Sequence, residues 1–263
     1  YNRLMGLAIS CFEWKNLPEG IDSRFMELTL FGDGMAVFFY DEAMGQYLCL
    51  QCMINGALDV YRIPVKRRAY ATNGYMRELN NENSVIIFNN ELHTNSMLDV
   101  EMYAERLYNI ERTIDVNVNA QKTPVLIKCD ENQRLTMKNL YMQYDGNYPF
   151  IFGDSALDTN TMTVLKTDAP YVAEQLQRLK TQIWNEALTT LGITNVSIEK
   201  KERLVSDEVE KNMGAVIAQQ NFRLKARKDA VKKINEMFDL NIEVEFVETI
   251  MNSDAVKGVN NNE

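Results

Sequence analysis

The residues here that could do chemistry are one histidine, four cysteines, scattered carboxylates and two clusters of cations. His93, in Leu92-His93-Thr94-Asn95, is the sole histidine. A Ser–His–Asp triad would have to use it, and no nucleophile signature lies nearby, so it reads as a solvated loop histidine. Cys49 and Cys52 form a C-x-x-C. A tetrahedral zinc site needs two more soft ligands at suitable spacing, and a thioredoxin-like pair would open a helix. This pair lies inside an apolar β-like run, and it reads as a strand carrying two small apolar thiols. With Cys11 and Cys129 the count is even. A chain of this size needs no disulfide framework, so free thiols in a reducing cytoplasm are expected. Gly32-Asp33-Gly34 lacks the third glycine of a dinucleotide loop, and no G-x-x-x-x-G-K-[ST] occurs. Glu243 and Glu245 alternate with apolar residues, the pattern of a strand's wet side. Trp14, Trp184 and the tyrosines are too dispersed for a base-stacking platform. These readings predict no enzyme, no cofactor and no metal.

The cations are more informative. Lys200, Lys201 and Arg203 form one cluster, partly neutralised by Glu199 and Glu202. Arg223, Lys225, Arg227, Lys228, Lys232 and Lys233 form another, opposed only by Asp229. Either is a solvated helix face or a local phosphate contact. The formal net charge of −9 argues against a surface that coats nucleic acid by simple attraction. Just before the second cluster, Met213–Asn221 shows no clear amphipathic face and reads as a mobile loop or as more helix.

The elements that must position these residues follow from periodicity. Leu4, Leu7, Ala8, Cys11 and Phe12 share a helical face between Tyr1 and Trp14, and a short helix is expected around Ser23–Leu30. From Gly34 to about Glu91, short β-rich runs alternate with Asn-Gly and Asn-Asn turns, predicting a small antiparallel barrel or sheet. Ser96 can cap a helix running to about Val118. Residues 122–166 read as a mixed segment, with strands at Val125–Ile127, Phe150–Phe152 and Met162–Leu165 and a helix around Leu135–Tyr144. Another long helix begins near Asp168, with Pro170 in its first turn and Gly192 as its stop. A final helix is expected over about Arg223–Phe238 and a last strand over Ile242–Val247. The fold class is therefore α+β. The 46% apolar and 25% charged composition is that of an ordinary globular chain, and no apolar run is long enough to cross a bilayer. The chain opens on Tyr1, not Met, so a preceding segment is expected outside this sequence.

Seven segments in order resemble the portal protein, also called upper collar or head–tail connector, of Picovirinae-type podovirus bacteriophages. They are Phe12-Glu13-Trp14 with Asn16-Leu17-Pro18, Asn119–Ile127, Lys166–Val172, Trp184-Asn185-Glu186, Leu191-Gly192-Ile193, Glu199–Arg203 and Ile234-Asn235-Glu236. The resemblance implies the viral portal fold: a mixed α/β wing with a small barrel-like part, long stem helices and a compact α/β clip, assembled as a ring. It maps 1–95 to wing, 96–121 to stem helix, 122–166 to clip and 167–193 to stem helix. Residues 194–251 become a channel loop and return to the wing, and 252–263 a disordered tail.

It further implies a dodecamer at one capsid vertex of the virion, assembled in the host cytoplasm, through which double-stranded viral DNA is packaged and ejected. The implied partners are the packaging ATPase with a packaging RNA, lower collar and tail proteins, and the major capsid protein, with no membrane. The channel loop maps to about Asn212–Lys228, including Met213, Gly214, Gln219, Gln220 and Asn221. Phosphate contact then falls to Lys200, Lys201, Arg223, Lys225, Arg227 and Lys228. The loop here is more apolar than that family's polar loop, and its basic N-terminal arm has no counterpart in this sequence. The competing expectation is a non-enzymatic module that binds nucleic acid or protein without forming a ring.

Overall fold

The computed structural model describes residues 1–56, 58–120, 125–127, 135, 139, 162–164, 170–194 and 206–247. The chain divides into two units, Tyr1–Tyr108 with Thr181–Glu263, and Asn109–Lys180.

The first unit opens with helix α1 (Asn2–Ile9) and strand β1 (Phe12–Lys15). The helical reading to Trp14 is corrected here. Ser10 ends the helix, its amide donating to the Gly6 and Leu7 carbonyls and its hydroxyl to Leu7. Beyond it, strand β9 (Glu243–Phe246) offers a ladder, in which Phe12 faces Phe246 and Trp14 faces Val244. Glu243 and Glu245 lie on the wet side, where Lys15 pairs with Glu245. Helix α2 (Ser23–Asp33) begins at Asp22, whose carboxylate accepts from the Arg24 and Phe25 amides. It stops at Gly34, with φ +82°, where an added Cβ would sit 2.8 Å from the Asn95 nitrogen. The Gly-Asp-Gly stretch is thus a helix terminus.

Strands β2 (Met35–Asp41), β3 (Gln46–Ile54), β4 (Lys66–Tyr70), β5 (Met76–Asn80) and β6 (Ser84–Phe88) form an antiparallel sheet in the order β5-β4-β3-β2-β6. Strand β2 is buried on both faces, because successive side chains point to opposite sides. Ala36 and Phe38 enter the main core with Leu4, Met26, Leu30 and Ile234. Val37 and Phe39 enter a second core with Cys52, Ala69, Leu79 and Ile86. The two edge strands, β5 and β6, are joined by three residues, and the Ser84 hydroxyl donates to the Asn80 carbonyl at 2.6 Å. The sheet must therefore curl around the second core, which gives the small barrel-like body expected between Gly34 and Glu91.

Three longer helices follow: α3 (Met97–Ala120), α4 (Ala173–Thr190) and α5 (Ser206–Phe238). Helix α4 ends as its glycine predicts: Gly192 has φ +76°, and the Ile193 amide donates to Leu188 at 2.9 Å. In the second unit, β7 (Val125–Ile127) pairs antiparallel with β8 (Met162–Val164), both at the expected positions. Pro170 lies before the helix and not in its first turn, because the Asn117 side chain holds the entry by donating to the Pro170 carbonyl and accepting from the Val172 amide. Asp168 and the strand expected at Phe150–Phe152 lie outside the described residues. Of the helix expected around 135–144, Leu135 and Asn139 are described and helical. Among the described residues, no helix is long and apolar enough to cross a membrane.

Candidate nucleic-acid interface

Helix α5 carries the second basic cluster, and it runs unbroken for 33 residues. The segment expected as a channel loop, Asn212, Met213, Gly214, Gln219, Gln220 and Asn221, is therefore helical. A buried stripe shows why. Val216, Arg223, Arg227, Ala230 and Ile234 follow at spacings of 7, 4, 3 and 4 residues, which is one face of a helix. Gln220 sits on the same side and donates to the Gly192 carbonyl at 2.8 Å. The amphipathic pattern was invisible because arginine and glutamine hold positions usually given to leucine.

The same stripe corrects the expectation that Arg223 and Arg227 touch phosphate. Arg227 is 0% exposed, and all five of its N–H donors are used. Nε and Nη2 grip Glu27 of α2 in a bidentate pair at 2.9 and 2.7 Å. Nη1 donates to the Asn89 and Arg223 carbonyls, and Nη2 also reaches the Asn89 Oδ1. The guanidinium lies 3.8 Å from the centroid of the Phe12 ring. Trp14 Nε1 donates to the same Glu27 at 2.9 Å. Arg223 donates to the Leu191 and Ala8 carbonyls, and burial pushes its pKa down. These two arginines thus bolt α5 to α1, α2, β1, the start of the β6–α3 connection and the end of α4.

The lysines behave differently. Lys225, Lys228 and Lys232 are exposed, and their i, i+3, i+7 spacing aligns them along one outer face of α5. Lys225 forms an ion pair with Glu91, which raises its pKa. Lys200 and Lys201 lie outside the described residues. The structure therefore joins Lys225 and Lys228 on one surface and removes Arg223 and Arg227 from it. Sequence reasoning missed Glu27, Asn89 and Phe12 as the arginines' anchors. The usable signal was that residues 223 and 227 keep phase with Val216, Ala230 and Ile234.

The other chemical candidates have plain structural roles. Cys49 and Cys52 lie on opposite faces of β3, one in each core, so they cannot share a metal or a disulfide. Burial pushes both thiols up, Cys52 to about 11. His93, at φ +60°, stacks on Phe88 with the ring centroids 3.6 Å apart. Burial, and then Lys233, hold its pKa below the usual histidine value. Among the described residues, no group of three or more His, Cys, Asp or Glu side chains is placed to hold a metal ion.

Comparison with known proteins gives this arrangement its context. The family model described as Phage Connector (GP10) matches residues 1–251. Among solved structures, the portal and tail of native bacteriophage P68 contains a chain 16% identical, with 99% of this chain and 88% of that one covered and a TM-score of 0.51. That likeness is one of fold. An HK97-family phage portal protein from Corynebacterium diphtheriae is 12% identical over 94% of this chain and 91% of that chain, with a TM-score of 0.48. A chain of a native gene transfer agent virion is 11% identical over 98% and 82%, with a TM-score of 0.49. With the family match running almost from end to end and the fold that of a phage portal subunit, the chain belongs to the phage connector family.

Proposed function

We propose that twelve copies of this chain close into a ring at one vertex of a phage capsid and conduct double-stranded DNA during packaging and ejection. The carrying observation is the connector-family match over residues 1–251. On this reading the phage is of the Picovirinae type, a packaging ATPase with its RNA and the tail proteins dock at residues 122–166, and capsid protein surrounds the wing. The ring is a conduit and a docking platform, with no chemistry of its own.

The charge distribution suits a conduit. Twelve chains at −9 each carry about −108 formal charges, a field that keeps DNA from lying down on the wall. Exposed lysines on α5 supply brief attraction, and phosphate contacts read no sequence, so any genome passes. The buried arginines hold the root of that helix, so the lysines ride on a fixed mount. Deleting 212–228 would remove those arginines and unfold the mount; point substitution is the informative test. Rings carrying Lys225→Ala with Lys228→Ala should assemble normally but yield particles that retain less DNA. Full retention in such particles would remove these lysines from the proposed DNA contact.

A further inference from the structure

Two buried side-chain polar atoms among the described residues have no hydrogen-bond partner, and one of them is Arg223 Nε. A buried donor without an acceptor is costly, and folded chains ordinarily supply one from the protein or from an ordered water. Arg223 is 3% exposed, and its Nη1 and Nη2 are already engaged, donating to the Leu191 and Ala8 carbonyls at 2.9 and 3.2 Å. The same side chain lines a cavity of about 40 Å³ between the start of α3, the end of α4 and the middle of α5. Every lining residue belongs to the first unit. One water needs roughly 10–15 Å³ of such space and two to four polar partners. The cavity is therefore large enough for a water and far too small for an organic ligand.

The hydrogen bonds of the lining side chains specify the occupant. The Thr190 hydroxyl donates to the Glu186 carbonyl at 3.0 Å, so in its 3.2 Å contact with Tyr103 it accepts and the tyrosine donates. Tyr103 has thus spent its proton, and both hydroxyl oxygens retain a lone pair. The Ser96 hydroxyl accepts from the Asn89 side chain at 2.8 Å and keeps its own proton to give. Asn90 also lines the cavity, but its amide is committed to Thr94 on the donor side and to the Leu92 and Thr94 amides on the acceptor side. The lining therefore offers two donors, Arg223 Nε and Ser96 Oγ, and two acceptors, Tyr103 Oη and Thr190 Oγ1. That mixed set is the complement of a water molecule, which accepts two hydrogen bonds and donates two. An anion accepts only; it would meet the Tyr103 lone pair and the carboxylate of Asp99, which lines the same cavity.

We propose that this cavity is a binding site for an ordered water, which accepts from Arg223 Nε and Ser96 Oγ and donates to Tyr103 Oη and Thr190 Oγ1. The water completes the donors of the buried arginine and ties α5 to the start of α3 and the end of α4, and it lies within one chain whatever the assembly. The test is an experimental map of the full chain fine enough to show ordered waters, collected once in chloride and once in bromide. A peak about 2.7–3.2 Å from both Arg223 Nε and Tyr103 Oη is expected in both salts, with no anomalous bromide signal. In Tyr103→Phe, which removes one acceptor and frees the other, that peak should be lost or displaced while Arg223 keeps its Leu191 and Ala8 bonds. An empty cavity in a map that shows other interior waters would overturn the proposal. So would an anomalous bromide peak in the cavity, which would make it an anion site, and so would an unmoved peak in the Tyr103→Phe map.

Discussion

Arg227 and Lys225 are two residues apart on one helix and do opposite things. The arginine is sealed between Glu27, Asn89 and Phe12; the lysine is in solvent beside Glu91. Breaking a buried pair strands a charge, so Arg227→Met should destabilise the chain by about 3–5 kcal/mol in urea unfolding. Replacing Glu27 by Leu as well should restore part of that loss, which a simple packing role for Arg227 would not allow. Lys225→Ala should leave the unfolding midpoint where it was. A pH effect belongs to Asp41. The Tyr75 hydroxyl, then the Met44 and Ala43 amides and Arg77, hold its carboxyl below the usual range. Its contribution is present above the ordinary carboxylate pKa of about 3.9 and is lost as pH falls through the depressed folded value. Asp41→Asn should therefore flatten the fall in stability on the acid side of about pH 4, measured by denaturant unfolding at a series of pH values. Cys11, Cys49 and Cys52 are buried, so native protein should keep all three from a thiol reagent until it unfolds.

At the scale of elements, legibility followed the kind of signal. The β-rich stretch was readable because Val37–Tyr40 and Val85–Phe88 are continuous apolar runs, and β2 and β6 are the strands buried on both faces. Helix α4's end was readable because only glycine suits φ +76° there, with a Cβ at that point lying 2.9 Å from the Gln220 Cγ. Gly192→Ala should accordingly cost about 1 kcal/mol or more in the same unfolding assay. Two things were not legible. Phe12 and Trp14 continue a helical spacing, and only the distant Val244 and Phe246 turn them into a strand. The front half of α5 was hidden because its buried stripe carries polar side chains whose partners, Glu27, Asn89, Ala8 and Gly192, are remote in sequence. The candidate site was half visible for the same reason: sequence found the cations, and tertiary pairing separated the anchors from the exposed face.

At the scale of the whole molecule, an acidic subunit with the fold of a phage portal carries a small exposed basic face on α5. Helix α3 leaves Leu98, Met102 and Tyr108 exposed, and the turn before β4 leaves Val60 and Tyr61 largely uncovered. Exposed apolar surface of that kind is a cost for a solitary chain and an asset for one that packs against copies of itself. The most direct measurement is the native mass of the purified chain, read together with its images in negative stain. The expected result is a closed ring near 365 kDa, about twelve times the 30.4 kDa chain. A species that stays at 30.4 kDa at micromolar concentration would contradict it.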